Sequence, residues 1–123
     1  MAQTCACGDK PKLIYACSGV ADVGAIADLA ARKMTREGTG KMSCLAGIGA
    51  GSSGLIESTK AAAKVLVIDG CPVDCGKKIL EKAGFSDFKH MRVTEQGFDK
   101  GKSPATDQAI NVITTKGSEL LVC

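Results

Sequence analysis

The sequence predicts an α/β fold: a three-layer single domain with a mostly parallel central sheet of about four strands. Three observations predict it. Short apolar runs rich in Val, Ile and Leu alternate with longer stretches of helical periodicity, strand then helix, four times over. The chain has 123 residues, the size of one compact domain. Apolar residues make up 45% and aromatics 3%, so a core is affordable and must be aliphatic.

Residues 1–11 are small and polar and end in Pro11. They read as a flexible Cys-x-Cys tail, Cys5 and Cys7, ahead of a domain over 12–123. Residues 12–16 form an apolar strand that ends at Cys17-Ser18-Gly19. A helix follows over 20–37. Val23, Ile26, Ala27, Ala30 and Met34 recur at helical spacing, with Asp22 early, Arg32, Lys33 and Arg36 late, and Gly38 as the stop.

Residues 41–46 suit a second strand. Residues 47–54 are too glycine-rich for regular structure and lead into a helix at 53–63, capped by Ser52 or Ser53. Gly47, Gly49 and Gly51 lack the spacing of a dinucleotide fingerprint, and no Gly-Lys-Ser/Thr follows. They offer either a backbone nest for an anion or room for the chain to pass a crowded thiol cluster. Residues 64–68 are a buried strand, followed by Asp69-Gly70-Cys71-Pro72-Val73-Asp74-Cys75-Gly76. Pro72 suits the first position of a helix that Gly84 closes.

The remaining elements are a strand at 88–94, a polar loop at 96–102 and a last helix opened by Ser103-Pro104. Gly117 is expected to weaken or split that helix. His90, the single histidine, reads as a surface or half-buried strand residue.

Charge and composition exclude several functions. The net charge is +3 with both signs spread along the chain, so there is no basic stripe for nucleic acid. No apolar run approaches the roughly 20 residues of a membrane span, and no secretory signal opens the chain. A cytoplasmic protein is the simplest expectation, and there thiols stay reduced. Seven cysteines then point to metal or redox chemistry.

Cys17, Cys44 and Cys71 each lie at or near the end of an expected parallel strand, 27 residues apart in both intervals. Neighbouring strands are about 4.8 Å apart. The three thiols can therefore meet, with Cys75 as a fourth from the helix start, where the dipole favours thiolate. Four thiolates suit Zn²⁺. Asp69 can serve as an acceptor behind the thiols, with Gly70, Gly47 and Gly49 shaping the loops. Asp74 reads as a first-turn helix residue.

Tyr15-Ala16-Cys17-Ser18-Gly19, Cys44-Leu45-Ala46-Gly47-Ile48-Gly49 and Asp69-Gly70-Cys71-Pro72-Val73-Asp74-Cys75 occur in this order, with Ala21-Asp22-Val23-Gly24 after the first. Together they resemble the DGC domain family, named for its Asp-Gly-Cys motif, over nearly the whole chain. The resemblance implies a small cytosolic protein with four cysteines proposed as zinc ligands, here Cys17, Cys44, Cys71 and Cys75. It assigns no biochemical role. Cys5, Cys7 and Cys123 fall outside that set, and Cys5 and Cys7 are candidate auxiliary thiols.

The expected function is thus a cytosolic zinc-binding protein whose partner is the metal ion, with no nucleic acid, no membrane and no enzymatic activity assigned. Two alternatives stand beside it. One is a thiol redox or sulfur-transfer protein using Cys71 and Cys75. The other places an iron–sulfur cluster or Cu(I) on the same thiols.

Overall fold

The computed structural model describes residues 5–123. Residues 1–4 of the expected tail lie outside the described residues. In chain order the strands are β1 (Ala6–Cys7), β2 (Lys10–Ala16), β3 (Lys41–Met42), β4 (Lys64–Asp69) and β5 (Lys89–Arg92). The helices are α1 (Asp22–Arg36), α2 (Leu45–Gly49), α3 (Ser53–Lys60), α4 (Cys75–Lys82) and α5 (Asp107–Leu120), with a 3₁₀ turn at Val93–Gln96.

The parallel strands lie in the order β3-β2-β4-β5, and β1 adds antiparallel to the start of β2. The fold is therefore α/β with a mostly parallel central sheet, as the alternating pattern predicts. From β2 the chain runs outward to β3, then returns past β2 to β4 on its other side. This reversal puts a topological switch point between the C-terminal ends of β2 and β4, the place where open α/β sheets carry their sites.

Strand periodicity assigns the two faces. Ile14, Ala16, Leu66 and Ile68 pack under Ile26 and Ala27 of α1 and Ile113 of α5. Leu13, Tyr15, Val65 and Val67 pack on the other face with Leu45 and Ile48 of α2 and Leu80 of α4. Slipping either strand by one residue would exchange the two sets, so the register is fixed by burial on both sides.

Several boundaries differ from the sequence reading, each for a local reason. β2 begins at Lys10, inside the expected tail, because Ala6 and Cys7 pair with Pro11 and Lys10. β3 stops at Met42, and the glycine-rich stretch expected to be irregular starts with the short helix α2. Pro72 does not open α4. Asp74 adopts a left-handed conformation (φ 58°), which no helix continues through, so α4 starts at Cys75.

Ser103-Pro104 does not open α5 either. Thr106 does, its Oγ1 accepting the Ala109 N–H at 3.1 Å, while Ser103 Oγ accepts the Asp99 N–H inside the preceding loop. Gly117 leaves α5 unbroken. A Cβ there would stand 3.1 Å from Met34 and 3.2 Å from Leu66, so this glycine lets α5 lie against α1 and the sheet.

Candidate functional site

The switch point is built first by backbone. The β2–β4 ladder continues one residue past β2, with Cys17 N–H donating to Ile68 O at 3.1 Å. The next donor along β4, the Gly70 N–H, then turns to Cys17 Sγ at 3.3 Å. Gly70 permits this approach. A Cβ on it would stand 2.8 Å from the Gly24 nitrogen and the Val23 carbonyl carbon, at the first turn of α1. Gly24 is held the same way against Gly19, at 2.5 Å. The two segments Cys17-Ser18-Gly19 and Asp69-Gly70-Cys71 thus both pack, backbone to backbone, on the first turn of α1.

Asp69 explains the acidic residue of this motif. Its alternation with Val65 and Val67 sends it to the α4 face, where it is fully buried. Its Oδ1 accepts the Gly76 N–H at 2.7 Å and its Oδ2 the Lys77 N–H at 3.0 Å. It therefore satisfies two orphan donors of the first turn of α4 from a neighbouring strand. Gly76 has no room for a side chain, since a Cβ would come within 2.8 Å of Val67 and 2.9 Å of Asp69. Cys75, the first residue of α4, is placed by this contact.

A second layer of polar groups braces Asp69. His90 Nε2 lies 2.8 Å from Asp69 Oδ2 and 3.6 Å from Asp74 Oδ1. Arg92 grips Asp74 with a two-pronged contact, Nε to Oδ1 at 2.7 Å and Nη2 to Oδ2 at 2.6 Å. The Arg92 hydrogen bond, against the opposing effect of burial, holds the Asp74 carboxyl below the usual carboxylate range, helped by the charges of Arg92, His90 and Lys77. The same pair raises the Arg92 guanidinium above its ordinary value.

Each expected ligand can now be placed. Cys17 follows β2 and is half-buried, and Cys71 follows β4 and is half-buried. Cys75 is exposed at the start of α4, and Cys44 is exposed at the start of α2. Cys17, Cys44 and Cys71 thus lie in connections leaving one sheet edge, and Cys75 opens the helix that follows the third. Their sulfurs are not gathered: among the described residues, the set of three or more ligand atoms within 4.8 Å of one another is Asp69, Asp74 and His90. Burial pushes the Cys17 thiol up. The Gly19 and Gly70 N–H groups oppose this, and the negative charges of Asp69 and Cys75 add to it. Lys100 Nζ stands 3.5 Å from Cys71 Sγ. Cys17 and Cys44 line one open cleft of about 910 Å³.

The Asp69, Asp74 and His90 trio does not fit a metal ion, although its atoms are close. Both Asp69 oxygens are taken by backbone donors, and both Asp74 oxygens by Arg92. A guanidinium in contact with a candidate ligand repels a cation and competes for its lone pairs. With Arg92 the trio forms an internal hydrogen-bonded network, anchored by the Arg92–Asp74 ion pair, that supports the loop between Cys71 and Cys75.

The glycines expected at the site pack α2. A Cβ on Gly47 would meet Leu55 at 2.1 Å and approach Cys44 Sγ at 3.7 Å, and one on Gly49 would lie 3.9 Å from Ile79. Of the auxiliary thiols, Cys5 is free and half-buried, while Cys7 is joined to Cys123 in a disulfide with Cα atoms 5.9 Å apart. That bond ties β1 to the end of the chain and takes Cys7 out of any thiol chemistry.

Sequence reading missed the Asp74–Arg92 pair and the His90–Asp69 contact. The signal was period-two alternation in β5. Met91 faces the α1 side, so His90 and Arg92 share the opposite face with Asp69. Without the β4–β5 register nothing links them.

Among the described residues, no helix is long and apolar enough to cross a membrane. No solved structure matches the chain. The chain is 33% identical over 92 residues to the "Anaerobic and virulence modulator AnvM" of Pseudomonas aeruginosa, a match covering 75% of this chain and 70% of that protein. The DGC domain pattern matches residues 13–116, which span the switch point and all four candidate thiols. With its Asp-Gly-Cys motif at the end of β4, the chain belongs to the DGC domain family.

Proposed function

We propose that this protein binds a thiophilic metal ion, zinc in the first place, through Cys17, Cys44, Cys71 and Cys75. The observation that carries the reading is the placement of the four thiols. Three of them lie in the connections that leave β2, β3 and β4, and the fourth is the first residue of α4. They flank the switch point, where the fold leaves a crevice. The thiols are free and none is fully buried.

Four thiolate ligands would close the coordination of zinc, so the ion would serve structure or sensing and leave no position for a substrate. Tetrahedral coordination at about 2.3 Å requires sulfurs about 3.8 Å apart. The thiols must then draw together from their present positions. Cys44 and Cys75, the exposed pair, have the most room to do so. Cys17 is already fixed by the Gly70 N–H, and Asp69 holds the start of α4 in place.

A metal bound only by the folded state adds stability. A zinc chelator should therefore lower the melting temperature of the purified protein, and added zinc should restore it. A melting curve unchanged by chelator, in a protein free of metal by elemental analysis, would overturn the proposal.

A further inference from the structure

The cleft shared by Cys17 and Cys44 has features that the metal reading does not use. Its volume, about 910 Å³, is within the range of small-molecule sites. Cys17 and Cys44 line the cleft, and so do Arg32 and Arg36, contributed by the last turns of α1.

The cationic part of the lining is organised. Ser18 Oγ donates to Asp28 Oδ1 at 2.8 Å, and Arg32 Nε donates to Asp28 Oδ2 at 2.7 Å. This chain fixes Arg32 through Nε alone and leaves its two Nη groups without a protein partner among the described residues. Arg36 is exposed and has no ion pair there either. With Asp28 neutralised by Arg32, the lining has a surplus positive charge.

Ser18 is the second independent sign. Among the described residues it is one of two non-glycine residues with positive φ, at 52°, a conformation that costs about 1–2 kcal/mol for an L-residue. Such strain persists where the surroundings impose it, and it concentrates at binding sites. Here it brings the Ser18 hydroxyl to Asp28 directly beside Cys17.

We infer that this cleft binds a small organic anion with a carboxylate at one end and a thiol at the other, of the cysteine and glutathione kind. The carboxylate meets the planar forks of Arg32 and Arg36, which suit two-pronged contacts. The sulfur end lies toward Cys17 and Cys44. Met42, Leu45 and Ile79 also line the cleft and offer apolar surface to an aliphatic stem. The inference shares Cys17 and Cys44 with the proposed metal site, but its anion-binding part stands without the metal.

Calorimetric titration of the reduced, metal-free full chain with reduced glutathione and with S-methylglutathione tests it. Saturable binding of glutathione is expected, at least fivefold tighter than the methylated form, whose added group blocks approach to the two thiols. Arg36→Gln and Ser18→Gly should each weaken binding at least fivefold. Ser18→Gly should melt no lower than wild type, because glycine relieves the positive φ. No saturable binding, equal affinity for the two probes, or affinity unchanged in both variants would overturn the inference. Metal content of the same preparations before stripping reports separately on the metal reading. A preparation isolated with zinc whose stripped form fails to bind glutathione overturns this inference alone.

Discussion

Asp69 Oδ1, at the end of β4, accepts the Gly76 N–H at the start of α4 across 2.7 Å of fully buried space. The helix that begins with Cys75 is thus capped by the residue that opens the Asp-Gly-Cys motif, seven positions earlier. These bonds tie strand end, loop and helix start together around Cys71.

Asp69→Ala removes the acceptor of two backbone donors and the partner of His90. The expected loss of stability is about 2–4 kcal/mol, read from the midpoint of a urea denaturation. A loss under about 0.5 kcal/mol would show that the cap contributes nothing.

Close backbone approach makes a second prediction with an internal control. Gly70→Ala forces a Cβ to within 2.8 Å of α1 backbone, which cannot rotate away, and should cost about 1–3 kcal/mol or more. Gly54→Ala in α3 meets nothing within 4 Å and should gain up to about 1 kcal/mol. Thermal melts of the pair should move in opposite directions.

These effects mark the limit of what the chain reveals on its own. The α/β class and the strand–helix order were legible because β2 and β4 are apolar runs and α1 has a clean helical stripe. Asp69 was legible as an acceptor behind the thiols, but not which amides it caps, because its partners follow a turn whose shape depends on the left-handed Asp74. Thr106 in place of Ser103 at the start of α5 has a similar cause. Ser103 is recruited by Asp99 within its own loop and by Asp22 across the fold, and only the first of these is local. The Cys7–Cys123 bond joins residues from opposite ends of the chain, which local pattern cannot anticipate.

Asp22 offers a pH-dependent test away from the thiols. Its carboxylate accepts the Gly101 N–H at 2.8 Å and the Ser103 N–H at 2.9 Å, and these bonds hold its pKa below the ordinary value. A lowered folded pKa means that its stabilising contribution is present above the unfolded value, about 3.9. It is lost as pH falls through the folded value. Melting temperatures of wild type and Asp22→Asn should therefore differ most above about pH 5 and converge in acid. A difference that grows toward low pH would contradict this assignment.

The disulfide makes a prediction about termini. Closing a loop over the 116-residue separation stabilises by about 4–5 kcal/mol in the chain-entropy account. Reducing agent should lower the melting temperature of wild type markedly and leave Cys123→Ser unchanged. Equal sensitivity of the two proteins would exclude the bond as the cause.

The central claim concerns what surrounds a bound metal. Zinc-edge X-ray absorption of the zinc-loaded protein reads the ligand atoms directly. Four sulfurs at about 2.3 Å, with one sulfur lost in Cys71→Ser, is the predicted result. A first shell of oxygen and nitrogen at about 2.0–2.2 Å, unchanged in that variant, would contradict it and move the metal to carboxylate and imidazole ligands.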